Sequence, residues 1–146
     1  MSGLVVRELR ENDVEGATAL GQRCFVGTER PEFAYELVRP ISRAWVAVEA
    51  SEVVGYALGW VVAGEAQLMS IAVEPSRRGH GLGRALLARF VEAMAEENVE
   101  QIVLEVRAGN AAARALYEAF AFESQGTRKG YYADGEDGVL YRRRLP

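Results

Sequence analysis

The stretch from Gln67 to Leu87 constrains the fold of this chain more than any other. Leu68 to Val73 is an apolar run ending in Ile71-Ala72-Val73, which reads as a strand. Pro75 stops it, because proline cannot donate to a ladder. Glycines then stand at every second position, 79, 81 and 83. Beyond them Leu87, Phe90, Val91 and Met94 have the spacing of one buried helix face. A strand that feeds a glycine-rich turn into a helix start is a cradle for phosphate. Glycine lets the chain bend so that successive N–H groups converge on an anion, and the helix dipole favours negative charge there. Arg77, Arg78 and Arg84 add positive charge at the same place. The stretch therefore predicts a phosphate-bearing cofactor. A Walker loop would end in Gly-Lys-Ser/Thr, and a dinucleotide fingerprint would read G-x-G-x-x-G; neither is present. The remaining alternative is a glycine-rich connection that binds nothing.

Size and charge set the frame. A chain of 146 residues suits one domain, residues 1–146, around one core. The net charge of -4 does not suggest general or direct nucleic-acid binding. No apolar run approaches a membrane span, and the N-terminal residues lack a secretory signal pattern. The single Cys24 cannot form an internal disulfide. A cytoplasmic protein is the expectation. His80, the one histidine, lies between two loop glycines, where its backbone is a better phosphate donor than its ring is a catalyst. No second His or Cys stands near it for a metal.

Read in order, Leu4–Leu9 is a strand. Asn12 and Glu15 have the spacing of a capping box for a helix reaching Cys24 or Phe25. Residues 27–31 break that helix, and a short helix follows from Pro31 to Val38. Ala44–Val48 and Val53–Val62 form a hairpin, with Gly55 and Gly59 marking a bend or bulge. After the glycine loop a helix runs to about Glu97. Gln101–Val106 is the next strand, Ala111–Ala119 a helix, and Phe122 onward and Val139–Arg144 the last strands. Strand–helix–strand alternation in the middle calls for parallel pairing, and hairpins at the flanks for antiparallel pairing. The fold class is α/β: a mixed central sheet with helices on both faces.

Two side chains are candidates for moving protons. Glu105 places a charge inside Ile-Val-Leu-Glu-Val, which is costly without water or a partner. It lies near the carboxyl end of its strand, the edge where open α/β sheets bind ligands. The alternative is a structural ion pair, with Arg107 or an arginine of the last strand. Tyr117 sits on the following helix, beside its apolar face, and periodicity alone makes it a packed aromatic. Asn110 has the position of a helix cap before Ala111. Asp134, Glu136 and Asp137 read as an acidic rim or as a charged hairpin tip.

Arg78-x-x-Gly81-x-Gly83 after Ile71-Ala72-Val73-x-Pro75 resembles the coenzyme A pyrophosphate loop of the GNAT acetyltransferases. Leu104 to Glu118, with Arg128-x-x-Tyr131-Tyr132 and Glu136-Asp137, resembles the RimI branch, which acetylates the N-terminal alanine of a small-subunit ribosomal protein. The similarity runs from about residue 67 to 141. It implies the GNAT fold and acetyl transfer from acetyl-CoA to an amine, without a metal. It makes Arg78, Gly79, His80, Gly81, Leu82, Gly83 and Arg84 the holders of the cofactor's pyrophosphate. Ile71, Ala72 and Val73 become the strand edge along its pantetheine arm, and one of their N–H groups the oxyanion donor. It places Asn110 against the cofactor as well, and makes Glu105 the general base and Tyr117 the general acid. The implied partner is a protein or peptide N-terminus on a ribosomal protein, with no membrane involved. Two departures stand out. Phe120-Ala121-Phe122 replaces the family's Leu-Gly-Phe, and Phe25-Val26-Gly27-Thr28 lacks the branch's proline-tryptophan pair in a region that shapes the acceptor site. A GNAT enzyme for a small amine or a lysine side chain is the first alternative. A non-catalytic acyl-CoA sensor is the second, disfavoured because both proton-transfer groups are present.

Overall fold

The computed structural model describes residues 3–25 and 30–146. Seven strands form one sheet in the order β1-β2-β3-β4-β5-β7-β6. They are β1 (Val5–Glu8), β2 (Ser42–Glu49), β3 (Glu52–Val62), β4 (Glu65–Val73), β5 (Gln101–Arg107), β6 (Glu123–Arg128) and β7 (Gly138–Arg144). Only β4 and β5 pair in parallel; the other neighbours are antiparallel. Helices α1 (Val14–Cys24) and α2 (Phe33–Val38) cover one face, where Ala17, Leu20 and Phe33 pack on Val46, Tyr56, Leu58 and Ala72. Helix α3 (Leu82–Glu96) and Tyr117 of α4 (Ala111–Ala119) pack on the other, over Ala57, Leu68, Ile102, Leu104 and Tyr141. This is the expected mixed sheet with helices on both faces, and the middle crossover through α3 supplies the parallel pair. None of these helices is long and apolar enough to cross a membrane.

The two strand glycines answer to α3. A Cβ on Gly55 would lie 2.9 Å from Leu86 Cδ1, and one on Gly59 only 2.3 Å from Phe90 Cε1. Both also border register shifts, as expected. Val54 is the extra residue where Ala47 pairs with Gly55 and Val48 with Val53. Met69 is the extra residue where Leu58 pairs with Ser70 and Gly59 with Leu68. The Met69 bulge reverses the faces of β4. Ala66 and Leu68 pack on the α3 side before it, and Ile71 and Val73 do so after it. Ala72 then joins the α1 core, and the Ser70 hydroxyl meets the Tyr56 hydroxyl at 3.0 Å.

Two local expectations are corrected. Asn12 and Glu15 form no capping box: Glu11–Asp13 is a 3-10 turn, and α1 has no side-chain cap. A charged neighbour takes the role instead. The Asp13 carboxylate accepts the Arg10 N–H at 2.7 Å and both Arg7 guanidinium nitrogens at 2.7 and 3.1 Å. Burial raises the Asp13 pKa, but these hydrogen bonds outweigh it and leave the carboxyl below its usual value. Pro31 precedes the second helix, which starts at Phe33. The expected helix break and the acceptor-region departure fall largely on residues 26–29, outside the described residues.

Candidate active site

The sheet splits beside the parallel pair. β4 and β5 are in register only at Glu65–Gln101, Ala66–Ile102 and Gln67–Val103. Beyond that, β4 stays with β3 through Val73, and β5 stays with β7 through Arg107. The Met69 bulge stands where the split begins, and a bulge bends its strand and increases local twist. The edges from Ser70 to Val73 and from Leu104 to Arg107 thus face a gap without laddering across it. An extended ligand arm can lie there and bond to either edge.

The glycine turn lies at the end of this gap. Gly79 and Gly81 have φ of 83° and 81°, in the left-handed region, and Gly81 caps α3 without a side-chain hydrogen bond. The first N–H groups of α3, on Leu82, Gly83 and Arg84, lack helical partners by geometry and have no cap. At Gly83 a Cβ would make only ordinary contacts, 3.7 Å to Leu116 and Val73. Packing within the protein does not require glycine there. The arginines do not converge as the sequence suggests. Arg77 forms an ion pair with Glu49, Arg78 donates from Nε to the Val73 carbonyl at 3.2 Å, and Arg84 lies over the Phe120 ring at 5.8 Å. His80 is exposed.

Glu105 and Tyr117 flank the gap from opposite faces. Ile102, Leu104 and Val106 belong to the α3 core, so Glu105 projects toward the α1 side. Glu105 pairs across from Leu140 of β7, whereas the Tyr117 ring packs against Tyr141, the next residue, at 6.2 Å. The two reach a common point only through the opening between β4 and β5. Tyr117 is held by the end of its helix. Phe122 N–H bonds to the Tyr117 carbonyl at 3.0 Å and Ala121 N–H to the Glu118 carbonyl at 3.1 Å, while the Tyr117 and Phe122 rings meet at 5.8 Å. That is a Schellman motif with Ala121, at φ 65°, in the place usually taken by glycine. Burial, then the charge of Tyr132, raises the Tyr117 pKa and keeps the phenol protonated. Asn110 caps α4, its Oδ1 accepting the Ala113 N–H at 3.1 Å, and its amide nitrogen remains available. It lies seven positions before Tyr117, close to two turns, on the same helical stripe.

The partner of Glu105 is Arg128 of β6, and not Arg107 or a last-strand arginine: Nη1 stands 3.6 Å from Oε1. The other carboxylate oxygen, Oε2, is buried with no hydrogen-bond partner. Arg107 is engaged by Asp134 at 2.8 Å and Glu136 at 2.9 Å, and stacks over Tyr132 at 4.2 Å. The acidic rim is therefore partly offset by one guanidinium, which Asp134 and Glu136 share, and Asp137 accepts the Gly130 N–H at 2.9 Å. Gly138 lets the hairpin close on the sheet, since a Cβ there would lie 3.1 Å from the Tyr131 ring. Sequence reasoning named the double tyrosine but missed Arg128 as the contact of Glu105. The two meet only because β7 lies between their strands.

A model of the Acetyltransferase (GNAT) family matches residues 8–122, which takes in the split, the glycine turn, Glu105 and Tyr117. The chain belongs to that family. This GNAT enzyme is an N-acetyltransferase, and the family uses acetyl-CoA. The ribosomal protein bS18-alanine N-acetyltransferase of Salmonella typhimurium is 35% identical over 137 residues, 90% of this chain and 91% of that protein. The enzyme of that name from Escherichia coli K12 is 44% identical over 88 residues, 58% of this chain and 60% of its own. The crystal structure of the Escherichia coli ribosomal-protein-S18-alanine N-acetyltransferase superposes with a TM-score of 0.86 at 32% identity, covering 97% of this chain and 94% of that one.

Proposed function

We propose that this GNAT enzyme acetylates the α-amine of an N-terminal alanine on a small-subunit ribosomal protein, with Glu105 as general base and Tyr117 as general acid. The acceptor reading is carried by the similarity to the Salmonella enzyme, which extends over 90% of this chain. The roles of Glu105 and Tyr117 are supported by their placement on the two sides of one gap.

The chemistry follows from that placement. An α-amine has a pKa of about 8, so at neutral pH most of it is protonated and unable to attack a thioester. The glycine turn, through the N–H groups of Gly79, His80, Gly81, Leu82, Gly83 and Arg84 with Arg78 beside them, binds the cosubstrate's pyrophosphate, and Asn110 contributes its amide. The pantetheine arm lies along Ile71, Ala72 and Val73 in the split. The amine nitrogen attacks the acetyl carbonyl from the α1 side, where Glu105, directly or through one water, takes its proton. An unladdered strand N–H stabilises the tetrahedral oxyanion. The C–S bond breaks toward the α3 side, where Tyr117 gives its proton to the leaving thiolate. Burial keeps the Tyr117 phenol protonated, so it holds a proton to give as the C–S bond breaks.

Free-thiol release from acetyl-CoA with a peptide beginning Ala-Arg tests the reading. Glu105→Gln is expected to lower kcat by roughly 10²–10⁴-fold while coenzyme A binding is kept. Unchanged turnover in that variant would remove Glu105 as the base.

A further inference from the structure

Glu105 is held by a group of the same charge as its expected substrate. We propose that Arg128 is a positioning residue that makes the site select the uncharged form of the acceptor amine, by occupying the carboxylate that an ammonium would otherwise take. The proposal rests on the reading of Glu105 as the base that meets the amine.

The geometry is a shared carboxylate. Oε2 of Glu105 is buried, so Oε1 is the oxygen open to an incoming group, and Arg128 Nη1 stands 3.6 Å from it. The contact is an ion pair without a hydrogen bond, between a side chain 58% exposed and one 14% exposed. A guanidinium on an exposed edge strand can give way to a ligand without disturbing the core. Tyr131 completes the enclosure. Its ring lies over Gly138 on the same side of the sheet, and Arg128 sits 5.7 Å above that ring. Burial, then the charge of Glu105 and a hydrogen bond to it, keep the Tyr131 phenol protonated, and Arg128 opposes them. Arg107 and Arg142 project from β5 and β7 on this side as well, but Arg107 is committed to Asp134 and Glu136. Tyr132 lies against Arg107 and raises the Tyr117 pKa. Arg128 is thus the cation placed directly against the reacting carboxylate.

A protonated amine entering here meets Glu105 and Arg128 together. Its attraction to the carboxylate is offset by repulsion from the guanidinium, which lowers the bound ammonium's hold on its proton. The neutral amine meets no such penalty and can hydrogen-bond to the carboxylate at once. Arg128 therefore weakens binding of the charged acceptor and eases its deprotonation. Removing Arg128 should make the acceptor bind better and react worse at low pH. Loss of a merely structural contact would not produce that pairing.

The test compares wild type with Arg128→Gln, Arg128→Lys and Arg128→Thr, the last suited to an exposed strand. Alaninamide is titrated by NMR into each protein loaded with coenzyme A at pH 6, where the probe is protonated; this readout needs no turnover. Arg128→Gln and Arg128→Thr are expected to bind it roughly fivefold more tightly. In the acetyl-transfer assay the acidic limb of kcat should move up by about one pH unit in the same variants. Arg128→Lys should restore both values toward wild type. Unchanged or weaker alaninamide binding in Gln and Thr variants would overturn the proposal. With Glu105→Gln inactive, that result leaves the base assignment standing. Full turnover in Glu105→Gln would overturn the base assignment and this inference with it.

Discussion

Gly59→Ala tests how α3 is seated on the sheet. The new Cβ would lie 2.3 Å from Phe90 Cε1, 2.5 Å from Cζ and 3.0 Å from the Gln67 carbonyl. Carbon atoms rest at about 3.5–4.0 Å, so the ring must retreat by more than 1 Å. It has no room, being fully buried and stacked edge-on against Trp45 at 5.8 Å. Overpacking of this kind costs about 1–3 kcal/mol, and the collision here argues for the upper half of that range. Gly59 is not among the residues with positive φ, so alanine adds no backbone strain. Alanine also restricts the unfolded chain, which returns roughly 0.4–1 kcal/mol. The net expectation is a loss of about 1–2.5 kcal/mol, or roughly 2–10 °C in Tm for a chain of this size. Urea denaturation followed by tryptophan fluorescence measures it. Phe90→Leu should cost stability alone but relieve the clash in combination, so the double variant should be more stable than the sum of the singles predicts by about 1 kcal/mol. Additive effects, or a Gly59→Ala protein as stable as wild type, would refute this account of the glycine.

Further expectations concern the site and its supports. Tyr117→Phe keeps the Phe122 and Tyr141 ring contacts, so it should lower kcat by roughly 10²-fold or more in steady-state thiol release, with little change in coenzyme A affinity. Ala121→Gly removes a left-handed alanine from the turn that ends α4 and should raise stability by about 0.5–1 kcal/mol in the same denaturation assay. Asp13 has a folded pKa below its unfolded one, so its contribution is present above about pH 4 and is lost as pH falls through the folded value. Asp13→Asn should therefore be less stable than wild type at pH 7, and the difference should shrink below about pH 4 in urea titrations at each pH.

Much of this architecture is legible in the residues. Ile71-Ala72-Val73, Pro75 and the alternating glycines announce strand, stop and turn because each acts through local backbone geometry. Even the Met69 bulge leaves a trace, since the apolar phase slips from Ala66 and Leu68 to Ile71 and Val73. Glu105 is visible because a lone charge interrupts an apolar strand. Its contact with Arg128 is not, because it depends on the order β5-β7-β6, which brings together residues far apart in sequence. The fate of Arg77 is hidden for the same reason: its partner Glu49 belongs to β2. At the start of α1 the sequence offers Asn12 as a cap, whereas in the fold Asp13 accepts from Arg7 and the Arg10 N–H and no side chain caps the helix.

The central claim is acetyl transfer to an N-terminal alanine. The direct measurement is tandem mass spectrometry of two peptides after incubation with the enzyme and acetyl-CoA. One begins Ala-Arg and carries an internal lysine, and the other is the same peptide with its α-amine blocked. The account predicts acetyl on the alanine α-amine of the first peptide and none on the second. Acetyl on the lysine of both, or on neither while small amines in the same assay are modified, would contradict it.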